Sequence, residues 1–280
     1  MNQADITQLV QQCLAEDLNL LSSDHGDISA SLIPEKNVSV ARIISREPAI
    51  FCGIEWGNEV FRQLGNRVIL DWHVKDGDFM EENQCVCTLS GPSRDLLTGE
   101  RTLLNIAQTL SGTATTTRSY VDVIEGTGVR LLDTRKTIPG MRNAQKYAVA
   151  CGGGVNHRFG LYDAFLIKEN HIAAAGSIQA AVSQAKTSFP SKPVEVEVEN
   201  LDELQQALNA DTDRIMLDNF SLDLMREAVA INAGKAELEA SGNVNLTTIR
   251  HIADTGVDFI SVGALTKHIA AVDFSMRFTD

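Results

Sequence analysis

The chain has 280 residues, of which 44% are hydrophobic and 22% charged, and it carries a formal net charge of −13. That length suits one large domain or two unequal ones with a substantial core, and the acidity argues against nonspecific nucleic-acid binding. No apolar run approaches the ~20 residues a membrane span needs, so neither nucleic acid nor a membrane is expected as a partner.

The first element reads as an amphipathic helix, because Ile6, Leu9, Val10, Cys13 and Leu14 recur at helical spacing. The start has no basic n-region and no apolar h-region, so no secretory signal is expected. Cys13, Cys52, Cys85, Cys87 and Cys151 are odd in number, irregularly spaced and without a C-x-x-C. They read as reduced thiols of a cytoplasmic protein rather than as a disulfide framework or a zinc site. Residues 38–90 alternate in VSVARIIS, VILDWHV and QCVCTLS, punctuated at Gly65-Asn66 and Asp76-Gly77-Asp78. This pattern predicts strands and turns, with one helix over 54–64 interposed. The segment VKDGDFMEENQCVCTLSG resembles the hammerhead turn of biotinyl and lipoyl carrier domains. Lys75 precedes the turn, however, and no flanking Met-Lys-Met or Asp-Lys-Ala is present. The same β-structure without the carrier function is expected.

From Thr98-Gly99-Glu100 a long helix is predicted. Short apolar runs follow, VRLLD, AFLIK, VEVEVE, RIMLD, AELEAS and DFISVG, each read as a buried parallel strand. Helical patterns separate them, with Leu201, Leu204 and Leu208 on one face and Leu246, Ile249 and Ile252 on another. Such repetition implies an α/β barrel or an open doubly wound sheet. The last stretch, VDFSMRF, reads as a terminal strand returning to the N-terminal region.

In a parallel barrel the active site lies at the carboxyl ends of the strands. After VRLL come Asp133, Thr134, Arg135 and Lys136, and after AFLI come Lys168, Glu169, Asn170 and His171. Asp218 and Asn219 follow RIML, Ser241, Gly242 and Asn243 follow AELEA, and Gly263 follows DFISV. Early strands thus supply cations, middle strands carboxylates and late strands small residues with free backbone amides. Glu195, Glu197 and Glu199 share one face of their strand. They lie either on a solvated edge or inside the barrel, where carboxylates must be paired with a lysine or bound to metal. Asp218 is placed to share such an ion. The Ser-Gly-Asn and Ser-Val-Gly turns, each read as leading into a helix, suit a phosphate. Arg101, Arg135, Lys136, Arg158 and Lys168 suit carboxylates. CGGGVNHRFG brings His157 and Arg158 out of a glycine-rich bend.

These motifs resemble a known family. TGERTLLNIAQTLSG, LLDTRKTIPGMR, KYAVACGGGVNHRFGLYDAFLIKENHI, VEVEVEN, IMLDNF, SGNV and GVDFISVGALTKH occur in the order found in quinolinate phosphoribosyltransferases. The resemblance runs from about Asp27 to Phe278. It implies an N-terminal α/β sandwich (residues 1–111, completed by 267–280) and an incomplete (β/α) barrel (112–266) of the type II phosphoribosyltransferase kind. It implies transfer of a phosphoribosyl group from phosphoribosyl pyrophosphate to quinolinate with loss of CO2, in de novo NAD biosynthesis. It also implies Mg2+ and a homodimer with shared active sites. By the resemblance, Arg135, His157, Arg158 and Lys168 line the quinolinate pocket, joined by Arg101 of the partner subunit. Lys136 meets pyrophosphate. Glu197 and Asp218 hold the ribose hydroxyls and Mg2+, directly or through water. Thr134 is expected beside the substrates, and Ser241, Gly242, Asn243, Ser261 and Gly263 cradle the 5′-phosphate. The alternatives are a molybdenum-transport-associated pyrophosphorylase-like relative, a nicotinate phosphoribosyltransferase, a phosphate-binding barrel isomerase and a non-catalytic binding module.

Overall fold

The computed structural model describes residues 2–19 and 26–279. They divide into two compact units, one of residues 1–118, 138–153 and 268–280 and the other of 119–137 and 154–267.

The first unit begins with α1 (Gln3–Leu18). Asn2 caps it by accepting from the Ala4 N–H at 3.2 Å, and its buried stripe is Ile6, Val10 and Leu14. Next come β1 (Val38–Ser45), β2 (Ala49–Ile50), α2 (Ile54–Gln63), β3 (Ile69–Trp72), β4 (Phe79–Met80) and β5 (Cys85–Pro92). The hammerhead-like turn has a structural use: Asp76 Oδ1 accepts the Gly53 and Ile54 N–H groups at 2.8 and 3.2 Å, capping α2. The long α3 (Ser93–Val123) starts five residues before Thr98. Pro92 stands immediately ahead of it, where the missing N–H costs nothing. Gly99, read from sequence as a start signal, lies inside the helix, because a Cβ there would come 2.6 Å from the Phe61 ring.

The second unit contains β6 (Arg130–Leu132). The chain then returns to the first unit for α4 (Arg142–Cys151). Back in the second unit are β7 (Phe165–Ile167), α5 (Glu169–Ala175), α6 (Ile178–Ser188), β8 (Val194–Val198), α7 (Leu201–Asn209), β9 (Arg214–Asp218), α8 (Leu222–Asn232), β10 (Glu237–Ser241), α9 (Ile249–Ala253), β11 (Phe259–Ser261) and α10 (Ala264–Lys267). Finally β12 (Phe274–Phe278) pairs antiparallel with β1 in the first unit, whose four-stranded sheet has the order β12-β1-β5-β3.

The six strands of the second unit run parallel in the order β6-β11-β10-β9-β8-β7. From β7 to β11 chain neighbours are spatial neighbours, and β11 returns to pair with β6. This is an incomplete (β/α) barrel, open between β6 and β7, with one bridge from Leu132 to Val155 beside the gap. Ser177, Asn200 and Ser221 cap α6, α7 and α8 through their side chains, each satisfying a free N–H at the helix start. Val194, Val196 and Val198 are fully buried on one face of β8, Ile215 and Leu217 on β9, and Leu238 and Ala240 on β10. The opposite faces carry Glu195, Glu197, Arg214, Asp218, Glu237, Glu239 and Ser241, with Met216 among them on β9. Among the described residues no helix is long and apolar enough to cross a membrane.

Two further sequence expectations need correction. Leu246 does not share a helix with Ile249 and Ile252, because α9 begins only at Ile249. The Ser241-Gly242-Asn243 turn likewise does not open directly into a helix. Gly242 has φ +101° and Asn243 φ 51°, and these left-handed residues send the chain into a loop held by the Asn245 side chain.

Candidate active site

The inward faces of the barrel strands carry charge in layers. At the amino ends, the guanidinium groups of Arg130 and Arg214 each lie 4.1 Å from the Phe259 ring centroid, and Glu237 pairs with both. One step further along, Glu195 of β8 and Glu239 of β10 face His157, whose Nε2 lies 2.9 Å from Glu195 and 3.4 Å from Glu239. At the carboxyl ends a cavity of about 470 Å³ opens. It is lined by Thr134, Arg135, Lys136, His157, Arg158, Leu166, Lys168, Glu197, Met216, Asp218, Glu239, Ser241 and Ser261.

Local bonds explain why these side chains meet. Asp133, fully buried at the end of β6, accepts from Asn156 Nδ2 at 2.7 Å and from the His157 N–H at 2.9 Å. One carboxylate thereby ties the returning chain beside β6 and brings His157 and Arg158 to the cavity. Asp163 accepts the Phe159 and Gly160 N–H groups at 2.6 and 2.9 Å, closing the next turn. Lys136 is steadied by its own backbone: its N–H donates to Thr134 Oγ1 at 3.1 Å, and its carbonyl accepts from Thr266 Oγ1 at 2.9 Å. Its side chain runs past Gly263, where a Cβ would lie 2.9 Å from Lys136 Cδ. Lys168 donates to Glu197 through Nζ.

The cations outnumber their partners. Arg135 Nε is buried with no hydrogen-bond partner among the described residues. Burial and the neighbouring Arg135 draw Arg158 below its ordinary range. Two guanidinium groups that repel each other across a cavity form a receptor for an anion. Burial works against charging His157, but hydrogen bonds to Glu195 and Glu239 together with their charges raise it to about 9. The ring's Nδ1 accepts the Arg158 N–H at 2.7 Å, so in this geometry Nε2 carries the proton that faces the carboxylates. A second ring proton would have to displace that contact. Burial pushes Glu195 up to about 7, against the pull of His157.

The sequence-predicted residues therefore fall into three groups. Thr134, Arg135, Lys136, His157, Arg158, Lys168, Glu197, Asp218, Ser241 and Ser261 meet around one cavity. Gly242, Asn243 and Gly263 flank lining residues. Asn243 Nδ2 donates to Asn219 Oδ1 at 3.3 Å, Asn219 Nδ2 donates to Asp218 at 2.9 Å, and Gly242 packs against the same Asn219. Arg101 lies on α3 of the first unit with its side chain 58% exposed. Of the three glutamates, Glu195 and Glu197 point inward to His157 and Lys168, whereas Glu199 is exposed beyond the strand. Sequence reasoning overlooked Glu239 as a partner of His157 and Asp133 as the tether. The alternation of Glu237, Glu239 and Ser241 was the available signal for the first.

Two family models account for nearly the whole chain: the quinolinate phosphoribosyl transferase N-terminal domain over residues 27–111 and the C-terminal domain over 113–277. The chain belongs to the quinolinate phosphoribosyltransferase family. A curated member, the probable carboxylating nicotinate-nucleotide pyrophosphorylase of Bacillus subtilis, is 38% identical over 280 residues, covering 100% of this chain and 95% of the relative. The carboxylating nicotinate-nucleotide pyrophosphorylase of Mycobacterium leprae is 41% identical over 251 residues, covering 87% of this chain and 88% of the relative. The solved nicotinate-nucleotide pyrophosphorylase of Francisella tularensis superposes with a TM-score of 0.96 at 50% identity, covering 100% of this chain and 98% of that one. The two family models meet at residues 111–113, whereas the compact units exchange chain at 118, 138, 153 and 268.

Proposed function

We propose that the barrel cavity transfers a phosphoribosyl group from phosphoribosyl pyrophosphate to quinolinate, releasing pyrophosphate and CO2 and leaving nicotinate mononucleotide. The observation that carries this reading is the cluster of Arg135, Lys136, Arg158 and Lys168 around one cavity, with Arg135 Nε buried and unpartnered. A pyridine dicarboxylate supplies the two anionic groups such a cluster lacks. The names of the relatives support this acceptor over a molybdenum-transport relative.

Arg135, His157, Arg158 and Lys168 orient the dicarboxylate so that its ring nitrogen faces the anomeric carbon. Lys136, fixed through Thr134 and Thr266, meets the departing pyrophosphate. As the bond to pyrophosphate breaks, positive charge grows on the ribose, and the carboxylates of Glu197 and Asp218 stabilise it. The backbone amides and hydroxyls at Ser241, Gly242, Asn243, Ser261 and Gly263 hold the 5′-phosphate. In the adduct the positive pyridinium nitrogen stabilises the carbanion left on the adjacent ring carbon as CO2 departs, and that carbon then takes a proton from water, so no carbonyl cofactor is required. Glu197 and Asp218 offer the hard oxygen ligands that Mg2+ takes, directly or through water, and the ion would neutralise charge on the pyrophosphate. Arg101, exposed on its own subunit, is assigned to the neighbouring site of a homodimer. The five free thiols go with a cytoplasmic location.

The test is acceptor choice. With phosphoribosyl pyrophosphate and magnesium, quinolinate yields nicotinate mononucleotide, nicotinate yields none, and excess chelator stops turnover. Equal use of nicotinate would refute the acceptor assignment, and full turnover in chelator would refute the metal role.

A further inference from the structure

Away from the cavity, the first unit holds two thiols in contact. Cys52, between β2 and α2, is fully buried, and Cys151, the last residue of α4, is partly open to solvent. Their Sγ atoms lie 3.8 Å apart across a sequence separation of 99 residues, with Cys52 the donor. Neither is in a disulfide. Both backbones are held in place. The Cys52 N–H donates to Ser111 Oγ at 3.0 Å and its carbonyl accepts from the same hydroxyl at 3.3 Å, while Cys151 ends a helix whose next N–H, that of Gly152, bonds to Ala148 at 2.9 Å. Cys85 and Cys87 differ from this pair, because each thiol turns to a backbone carbonyl instead.

The surroundings give the two sulfurs different roles. Burial pushes the Cys52 thiol well up, and donation to Cys151, Cys151's charge and Asp76 add to the effect. Cys151 is drawn down by the Cys52 hydrogen bond and less by Tyr147, against burial and Asp76. Asp76 itself is occupied by the Tyr147 hydroxyl at 2.8 Å and by the N-terminus of α2. Cys151 is therefore the half-buried nucleophile, more open than Cys52, and Cys52 is the proton-bearing partner already in reach of it.

We propose that Cys52 and Cys151 form an oxidation site whose substrate class is hydroperoxides. The Cys151 thiolate attacks one oxygen of hydrogen peroxide, the O–O bond breaks, and the hydroxide that leaves takes up the proton Cys151 had given up, forming water. Cys151 is then a sulfenic acid. The Cys52 sulfur attacks the Cys151 sulfur, the S–O bond breaks, and the oxygen departs as a second water carrying the Cys52 proton. Two thiols lose two electrons to become one disulfide, and one peroxide gains them to become two waters. A dithiol reductant reverses the change. Cys151 immediately precedes Gly152, Gly153 and Gly154, the run that leads the chain to His157, so the bridge fixes the residue from which that run starts.

The experiment treats the folded full-length chain with stoichiometric hydrogen peroxide, blocks remaining thiols with N-ethylmaleimide, and maps peptides by mass spectrometry. The expected product is a Cys52–Cys151 linked peptide, two hydrogens lighter than its parts and lost on adding dithiothreitol, while Cys13 and Cys85 carry maleimide. In Cys52→Ala, checked for native circular dichroism, Cys151 is trapped as a sulfenic acid that dimedone captures. Oxidation of Cys13 or Cys85 as readily as Cys151, or conversion of Cys151 to a sulfinic acid with no link to Cys52, would overturn the proposal.

Discussion

Replacing Gly242 with alanine tests the phosphate turn with little change in chemistry. Gly242 has φ +101°, a backbone region that costs an L-residue about 1–2 kcal/mol. The new Cβ would also lie 2.1 Å from Asn219 Oδ1, so the Asn219 side chain must rotate away. That rotation breaks its hydrogen bonds to Asp218 and Asn243. Asn219 is exposed, so water replaces both bonds and each loss falls at the low end of roughly 0.5–1.5 kcal/mol. The expected stability loss is about 2 kcal/mol. The functional effect is sharper than the stability effect, because Asp218 loses its orienting partner and the turn loses its shape together. A loss of about 1.4 kcal/mol in binding is tenfold, so KM for phosphoribosyl pyrophosphate should rise by roughly that factor or more. Quinolinate affinity, read by calorimetry, should move little. The assay is steady-state kinetics with each substrate varied, alongside urea unfolding. An unchanged KM for phosphoribosyl pyrophosphate in a measurably destabilised variant would show the turn to be structural only and refute the phosphate assignment.

Arg135→Ala removes a buried, unpartnered guanidinium nitrogen and should raise the quinolinate KM at least tenfold with the fold intact by circular dichroism; unaltered kinetics would remove Arg135 from the pocket. Inactive Arg101→Ala and Arg158→Ala subunits should regain partial activity when mixed, since a hybrid dimer restores one intact site. No recovery after verified subunit exchange would count against a shared site. His157 also makes stability depend on pH. The Glu195 and Glu239 carboxylates hold its pKa up at about 9 against burial, so the stability contributed by the cation, which must displace the Arg158 N–H from Nδ1, is complete below pH 6.5 and is lost as pH rises through about 9. Glu195, raised to about 7, acts in the same direction at lower pH, since its buried carboxylate disfavours ionisation. The thermal midpoint should fall across pH 6.5–9 by an amount equivalent to roughly 1–3 kcal/mol, and His157→Gln should flatten that fall. An equal slope in the variant would remove His157 from the account.

The strands and helices of the barrel were legible because contiguous apolar runs ended in polar groups and alternated with segments of helical spacing. Glu197 and Lys168 were legible for the same reason, since period-two alternation from buried valines sets which face a side chain takes. The His157–Glu239 contact was not, because it joins the returning loop to β10 across the barrel interior, and strand spacing does not encode which interior side chains meet. The start of α3 was misread because a glycine inside a helix looks like a turn until the Phe61 ring that excludes a side chain is in view. Leu246 was misplaced because helical spacing continues through a loop whose Asn245 side chain holds the backbone out of the helix. Gly242 and Gly263 read correctly as backbone positions, but the neighbours that require glycine there, Asn219 and Lys136, come from other strand ends.

The most direct test of the central claim follows the carboxylate carbon. Quinolinate labelled at the carboxylate beside the ring nitrogen, incubated with the protein, phosphoribosyl pyrophosphate and magnesium, should release labelled CO2 in amounts equal to the nicotinate mononucleotide and pyrophosphate formed. Pyrophosphate release without labelled CO2, or a ribosylated product that keeps the label, would contradict the account.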